Sequence, residues 1–264
     1  MAKFQTIDIV FSLADIIERT AREVERRGVT VPPEVWQDLM AVKAVEDWRA
    51  DAESALTKKI AKIFSDYAGR AVSMIAAGGV PELGEMYDKL RATMISDLTG
   101  AALQAAEDEA AIAGVMFDPA QVNQIAVEWA RSYTFDWVKG IEKTTADVLR
   151  DAFTEFQTTP AMTRGQLEAL IAPTFGEWRA SLIAVTETTR AASRGMSIYK
   201  ELLSEGGVEM EEIWHTLNDS VTCIICRPLN GKTEAEWGAD YPLGPPAHPG
   251  CRCGKTLRYK GKEK

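Results

Sequence analysis

The sequence has 264 residues, of which 46% are hydrophobic and 26% are charged, and its formal net charge is −9. The hydrophobic fraction suffices for a packed core, and the acidic excess opposes general affinity for nucleic acid. No run approaches the ~18 apolar residues that a membrane span requires, and no signal peptide opens the chain at Met1. We therefore expect a soluble protein made in the cytosol, where cysteine thiols stay reduced and no membrane contact is needed.

Apolar residues recur at steps of three and four through the first 157 residues, which is the pattern of amphipathic helices. Interruptions by Gly and Pro divide this pattern into four predicted helices: one ending at Gly28, one from Pro33 to a stop at Gly78, one from Pro81 to a stop at Gly114, and one opening at Asp118. Small residues between positions 101 and 113 favour close helix approach. The tryptophans of this region are interpreted as packing residues: Trp36, Trp48, Trp129 and Trp137.

The second part of the chain, residues 158–264, has a different pattern. A short helix is predicted from Thr163 and a longer one from Trp178 to about Glu205, where two glycines follow. The apolar-rich run at 208–217 predicts a strand, with residues 256–259 as its expected partner. Prolines and glycines interrupt the segment between them, which indicates an irregular loop.

All four cysteines of the chain lie in this second part. Cys223 and Cys226 form a C-x2-C pair, and His248, Cys251 and Cys253 follow as H-x2-C-x-C. Thiolates at this spacing bind one tetrahedral ion, because the turn between them directs its N–H groups towards the sulfurs. The pattern favours zinc, which would replace a missing hydrophobic core in the loop. The alternatives from the residues alone are two disulfides or four buried thiols.

A mononuclear zinc site takes four of these five side chains. We predict Cys223, Cys226, His248 and Cys251, because H-x2-C repeats the spacing of the first pair. In an extended segment Cys251 and Cys253 would point to opposite faces, so Cys253 is the alternative ligand. Such a site is structural, since four protein ligands leave no open position. The predicted fold class is therefore α+β: a long-helix N-terminal bundle at 1–157 and a small α+β zinc-knuckle domain at 158–264.

Three stretches together resemble a known family. They are AVTETTRA at 184–191, TCIICRPLNGK at 222–232 after Trp214, and PPAHPGCRC at 245–253. This combination is similar to the C-terminal signature of the phage Mu protein F-like family, the minor head or head morphogenesis proteins of tailed bacteriophages. The resemblance covers about residues 175–258. Asn230 departs from it, since the family often has Asp there, and the change affects only the turn.

The resemblance implies a minor structural protein of a phage or prophage head, without enzymatic activity, acting in capsid assembly. Its implied partners are the portal, the scaffold or the major capsid protein, and its implied locations are the host cytoplasm during assembly and the virion head. The alternative function is a zinc-stapled nuclease or nucleic-acid-modifying protein of phage origin. That activity needs further histidines, and besides His248 the chain has only His215, which we interpret as a partly buried structural residue.

Two further features have a structural and a functional interpretation. Thr186, Glu187 and Arg190 share a predicted helix, and we favour a polar link from this helix to the zinc loop over a catalytic set. Between Cys251 and Lys264 there are six basic residues and one acidic residue. This tail is interpreted as a solvated terminus, with weak DNA contact as the alternative.

Overall fold

The computed structural model describes residues 33–113, 118–217 and 222–260, and for residues 33–47 it describes the backbone alone. The chain divides into two compact units, residues 1–48 and residues 49–264. The helix predicted to end at Gly28 lies outside the described residues.

In the described residues five helices precede the sheet, close to the predicted bounds. They are α1 (Pro33–Ala76), α2 (Gly84–Ala113), α3 (Pro119–Thr158), α4 (Arg164–Phe175) and α5 (Glu177–Glu205). Asp118 caps α3 as predicted, because its carboxylate accepts the Ala120 N–H at 2.9 Å. Thr163 and Gln166 form a capping box at the start of α4. None of the helices in the described residues combines the length and apolarity needed to cross a membrane.

The long helix α5 packs directly on α2. A Cβ added at Gly195 would lie 2.0 Å from the backbone oxygen of Ala102, so the two backbones approach as closely as the predicted small-residue segment allows. An apolar cluster forms around this contact and continues into α3 and the first strand: Ala102, Ala106, Ala110, Val122, Ala126, Ile198, Tyr199, Leu203 and Met210. We expected a domain boundary after residue 157, but this cluster joins residues on both sides of it within the 49–264 unit.

Two short strands follow α5. Strands β1 (Met210–His215) and β2 (Gly254–Tyr259) pair antiparallel, with Trp214 opposite Lys255. The loop between them contains a short 3-10 turn at Arg227–Leu229 and a single helical turn, α6, at Glu234–Trp237. The described part of the chain is therefore a helix-rich α+β structure with a two-stranded sheet, and its irregular loop carries the cysteine motifs.

Candidate metal centre

The first cysteine pair lies in a tight turn. The Cys226 N–H donates to the sulfur of Cys223 at 3.3 Å, and the Arg227 N–H donates to the Cys223 carbonyl at 3.0 Å. The turn thus directs an N–H group at a thiol sulfur, as the C-x2-C spacing predicts. A positively polarised N–H beside the sulfur favours the thiolate, which is the form that binds metal.

His248 is oriented by its own turn. Its Nδ1 lies 2.8 Å from the Pro249 carbonyl oxygen, and the Cys251 N–H donates to the His248 carbonyl at 3.1 Å. A carbonyl beside Nδ1 favours the tautomer with the proton on Nδ1, which leaves Nε2 free as a ligand. Gly250 has φ 74°, a left-handed conformation that suits glycine in this turn.

The five candidate side chains come together in two overlapping triads. One is Cys223, Cys226 and His248, and the other is Cys226, Cys251 and Cys253, with the ligand atoms of each triad within 4.8 Å of one another. Cys226 belongs to both triads, and either triad can hold a metal ion.

Three pairs of donor atoms lie near the spacing expected for ligands of one tetrahedral ion. His248 Nε2 lies 3.1 Å from the sulfur of Cys223 and 3.4 Å from that of Cys226, and the sulfurs of Cys226 and Cys251 are 3.6 Å apart. Two thiolates bound at about 2.3 Å to one tetrahedral zinc lie about 3.8 Å apart. These pairs therefore need only small adjustments to share an ion.

Cys253 differs from its predicted position. Residues 251–253 precede β2 and are not part of a strand, so alternation between faces does not apply, and the thiols of Cys251 and Cys253 both reach Cys226. A hydrogen bond with Cys253 is the main cause that lowers the pKa of the Cys251 thiol to about 5. The same bond, with burial, raises the pKa of the Cys253 thiol. Cys251 and Cys253 therefore lie in the same group of candidate ligands with Cys226.

The loop has an apolar core of its own, which the sequence interpretation missed. Trp214 is 0% exposed and Trp237 is 2% exposed, and their rings meet edge to face at 5.6 Å. Tyr241 and Leu229 pack on the same cluster, which also includes the buried cysteines. The candidate metal ligands therefore lie against an aromatic core, which the sequence interpretation had expected a metal to replace.

Helix α5 is hydrogen-bonded to the metal loop, by which we mean the loop between β1 and β2 that carries the candidate ligands. The Gly250 N–H donates to the Thr186 hydroxyl at 2.8 Å, which is the predicted link from this helix to the loop. Arg49 of α1 donates to the Thr189 hydroxyl at 2.6 Å and lies 3.5 Å from the Cys253 carbonyl oxygen. Two helices are thus hydrogen-bonded to the segment that carries Cys251 and Cys253.

Glu187 does not join this link. Its carboxylate, 4% exposed, accepts the Tyr133 hydroxyl at 2.6 Å and the Trp137 indole N–H at 3.0 Å, while Arg190 lies 3.8 Å away. Burial raises the pKa of this carboxyl, against the hydrogen bonds that favour its ionised form. Glu187 therefore connects α5 to α3 through hydrogen bonds from Tyr133 and Trp137.

The basic tail is less available than its composition suggests. The Lys255 side chain is 1% exposed, and its Nζ lies 2.7 Å from Glu212 and 2.6 Å from the Ser197 hydroxyl. Arg258 pairs with Glu211 at 2.8 Å. The sequence has no signal for this buried network, because lysine near a terminus is ordinarily solvated.

His215 is more exposed than expected, and its Nε2 lies 2.9 Å from the Thr256 hydroxyl on the neighbouring strand.

In comparisons with known proteins, no family description, no curated sequence and no solved structure matched the chain. The family resemblance therefore rests on the three stretches at 184–191, 222–232 and 245–253.

Proposed function

We propose that the C-terminal part of this protein is stabilised by one structural zinc ion held by Cys223, Cys226, His248 and Cys251. The observation that supports this most is that Cys226 belongs to two groups of metal-ligating side chains, one with Cys223 and His248 and the other with Cys251 and Cys253. Thiolate and imidazole donors suit zinc better than magnesium or calcium, which prefer oxygen. Four protein ligands leave no position for a substrate, so the ion is structural.

At the level of the whole chain, we propose a minor structural protein of a tailed-phage or prophage head that acts in capsid assembly. The support is the resemblance of three stretches that the fold brings into contact: AVTETTRA lies on α5, and its Thr186 bonds Gly250 of PPAHPGCRC. Cys223 and Cys226 of TCIICRPLNGK lie near His248 of PPAHPGCRC. The proposed partner is the portal, with the scaffold and the major capsid protein as the other head components.

The test is co-expression of the full chain with the portal, scaffold and major capsid proteins of the same phage or prophage. The tagged chain is expected to retain the portal protein after nuclease digestion and at high salt. The full chain is needed, because α5 shares an apolar cluster with α2 and α3. Loss of every head protein after digestion, or nicking of plasmid DNA by the purified chain with magnesium or manganese, would contradict the proposal in favour of a nucleic-acid enzyme.

A further inference from the structure

A cleft of about 620 Å³ lies along α5 within the 49–264 unit and shares no residue with the metal centre. Helix α3 forms one wall with Trp129 and Tyr133, and the loop after α6 forms another with Leu243. Its volume falls in the range of small-molecule sites, about 300–1,000 Å³. Of the motifs in the sequence, AVTETTRA reaches this cleft through Arg190.

The α3 wall presents an aromatic surface. Trp129 and Tyr133 are one helical turn apart, and their rings are stacked at 5.2 Å with an interplanar angle of 14°. The guanidinium of Arg190 lies 5.6 Å from the centre of the Tyr133 ring, so the aromatic and cationic parts of the cleft are contiguous. Trp129 is half-buried and lines the cleft. A flat indole of this kind is a stacking partner for a planar ring.

Two arginines line the adjoining end of the cleft. Arg190 and Arg194 are one turn apart on α5, and both line the cavity. The Nε of Arg190 is buried without a hydrogen-bond partner, and its nearest carboxylate, on Glu187, is 3.8 Å away. Two guanidinium groups on one helix face match the oxygens of a phosphate.

The remaining charges limit the size of the anion. The lining contains four cationic and four acidic side chains. Lys255 is paired with Glu212, Lys200 with Glu234, and Arg194 with Glu201 at 2.7 Å. A polyphosphate would extend beyond the two arginines and meet several carboxylates, whereas a single phosphate at Arg194 would displace Glu201 alone. The carboxylates and serine hydroxyls beyond the arginines are hydrogen-bonding partners for sugar hydroxyls.

We propose that this cleft binds a nucleoside monophosphate unit, with its base against Trp129 and its phosphate at Arg190 and Arg194. The unit is either a free nucleotide or one nucleotide of a single-stranded nucleic acid. The site does not depend on the metal centre or on the proposed role in a phage head.

The test is isothermal titration calorimetry of the full chain with AMP, adenosine, inorganic phosphate and a single-stranded oligonucleotide. AMP is expected to bind with a Kd below about 1 mM and at least about tenfold more tightly than adenosine or phosphate alone. Arg194→Gln and Trp129→Leu should each weaken AMP binding by about tenfold. The matched control is Arg150→Gln on α3, since Arg150 is an exposed arginine paired with Asp147 and does not line the cleft.

A free nucleotide and a single-stranded nucleic acid would give different binding results. AMP binding that is lost in both cleft variants identifies a free nucleotide, whereas oligonucleotide binding that is lost in both, without AMP binding, identifies a single-stranded nucleic acid. Circular dichroism and the Tm establish that each variant is folded. The proposal would be overturned if neither AMP nor the oligonucleotide binds. It would also be overturned if Arg194→Gln and Trp129→Leu bind them as tightly as the wild type.

Discussion

Cys226 occupies the position on which both groups of candidate ligands depend. It lies within 4.8 Å of Cys223 and His248 on one side and of Cys251 and Cys253 on the other. Cys253 lies near Cys226 and Cys251 and does not belong to the triad of Cys223, Cys226 and His248. Replacing Cys226 and replacing Cys253 should therefore have different effects on metal binding, although both are buried cysteines of the same loop.

We predict that Cys226→Ser abolishes zinc binding, whereas Cys253→Ser retains it, because a proposed ligand is lost only in the first variant. Cys253→Ser is also the matched control, since it makes the same change in the same buried cluster. The measurement is zinc per chain after purification under reducing conditions. Loss of zinc in Cys253→Ser together with its retention in His248→Ala would mean that four cysteines hold the metal.

Glu109 is a second residue whose environment has a measurable consequence. It is 3% exposed, and its carboxylate accepts the Leu257 N–H of β2 at 2.8 Å, while its other oxygen is buried without a partner. Burial, the largest cause, raises the pKa of this carboxyl from 4.5 to about 7. The neighbouring charge of Asp108 acts in the same direction. Folding therefore favours the protonated form of Glu109.

Because the folded-state pKa is the higher one, the contribution of Glu109 to stability is complete below about pH 4.5 and is lost as the pH rises to about 7. The shift corresponds to a loss on the order of 3 kcal/mol. Glu109→Gln, which keeps an acceptor for Leu257, should raise the free energy of unfolding at pH 8 by up to that amount and leave it nearly unchanged at pH 4. Urea unfolding at both pH values measures the difference. An equal effect at both would exclude titration of Glu109 as its cause.

Among the elements, α5 depends on its close contact with α2. We predict that Gly195→Ala destabilises the protein by at least about 2 kcal/mol, because the new methyl group would overlap the Ala102 carbonyl. Gly100→Ala on α2 is the control, since nothing lies within 4 Å of an added Cβ and alanine favours helix by up to about 1 kcal/mol. Thermal unfolding should thus shift in opposite directions in the two variants. A Gly195→Ala protein as stable as the wild type would show that the helices do not pack this closely.

The link between α5 and the metal loop makes a separate prediction. Thr186→Val removes the acceptor of the Gly250 N–H, which lies between His248 and Cys251. We expect zinc affinity to fall about tenfold, as for other residues that orient metal ligands indirectly. Competition with a chelator measures it. Thr154→Val is the control, because Thr154, like Thr186, donates to the carbonyl four residues earlier but lies exposed on α3. Equal zinc affinity in both variants would contradict an orienting role for Thr186.

At the scale of the whole molecule, local signals predicted the elements well. The helix caps at Asp118 and Thr163 and the stop at Gly78 define helix ends, because capping and chain reversal are properties of a few adjacent residues. The meeting of the C-x2-C and H-x2-C motifs was also predictable, since metal ligation requires it. These features depend on spacing along the chain.

Features that depend on tertiary packing were not predictable in the same way. The contact of Gly195 with Ala102 joins α5 to the N-terminal helices, so the expected boundary after residue 157 does not divide the packing. The burial of Lys255 follows from its register opposite Trp214 and from Glu212 beside it. The aromatic cleft at Trp129 likewise combines helices that are distant in sequence.

We propose that the loop between β1 and β2 binds one zinc ion. The most direct measurement is elemental analysis of the full chain, purified under reducing conditions, combined with thermal unfolding before and after chelation. We predict about one zinc per chain, a lower Tm after chelation and recovery on adding zinc. A folded, reduced chain with no zinc and a Tm insensitive to both chelator and zinc would contradict the claim, as would a disulfide between the cysteines of this loop.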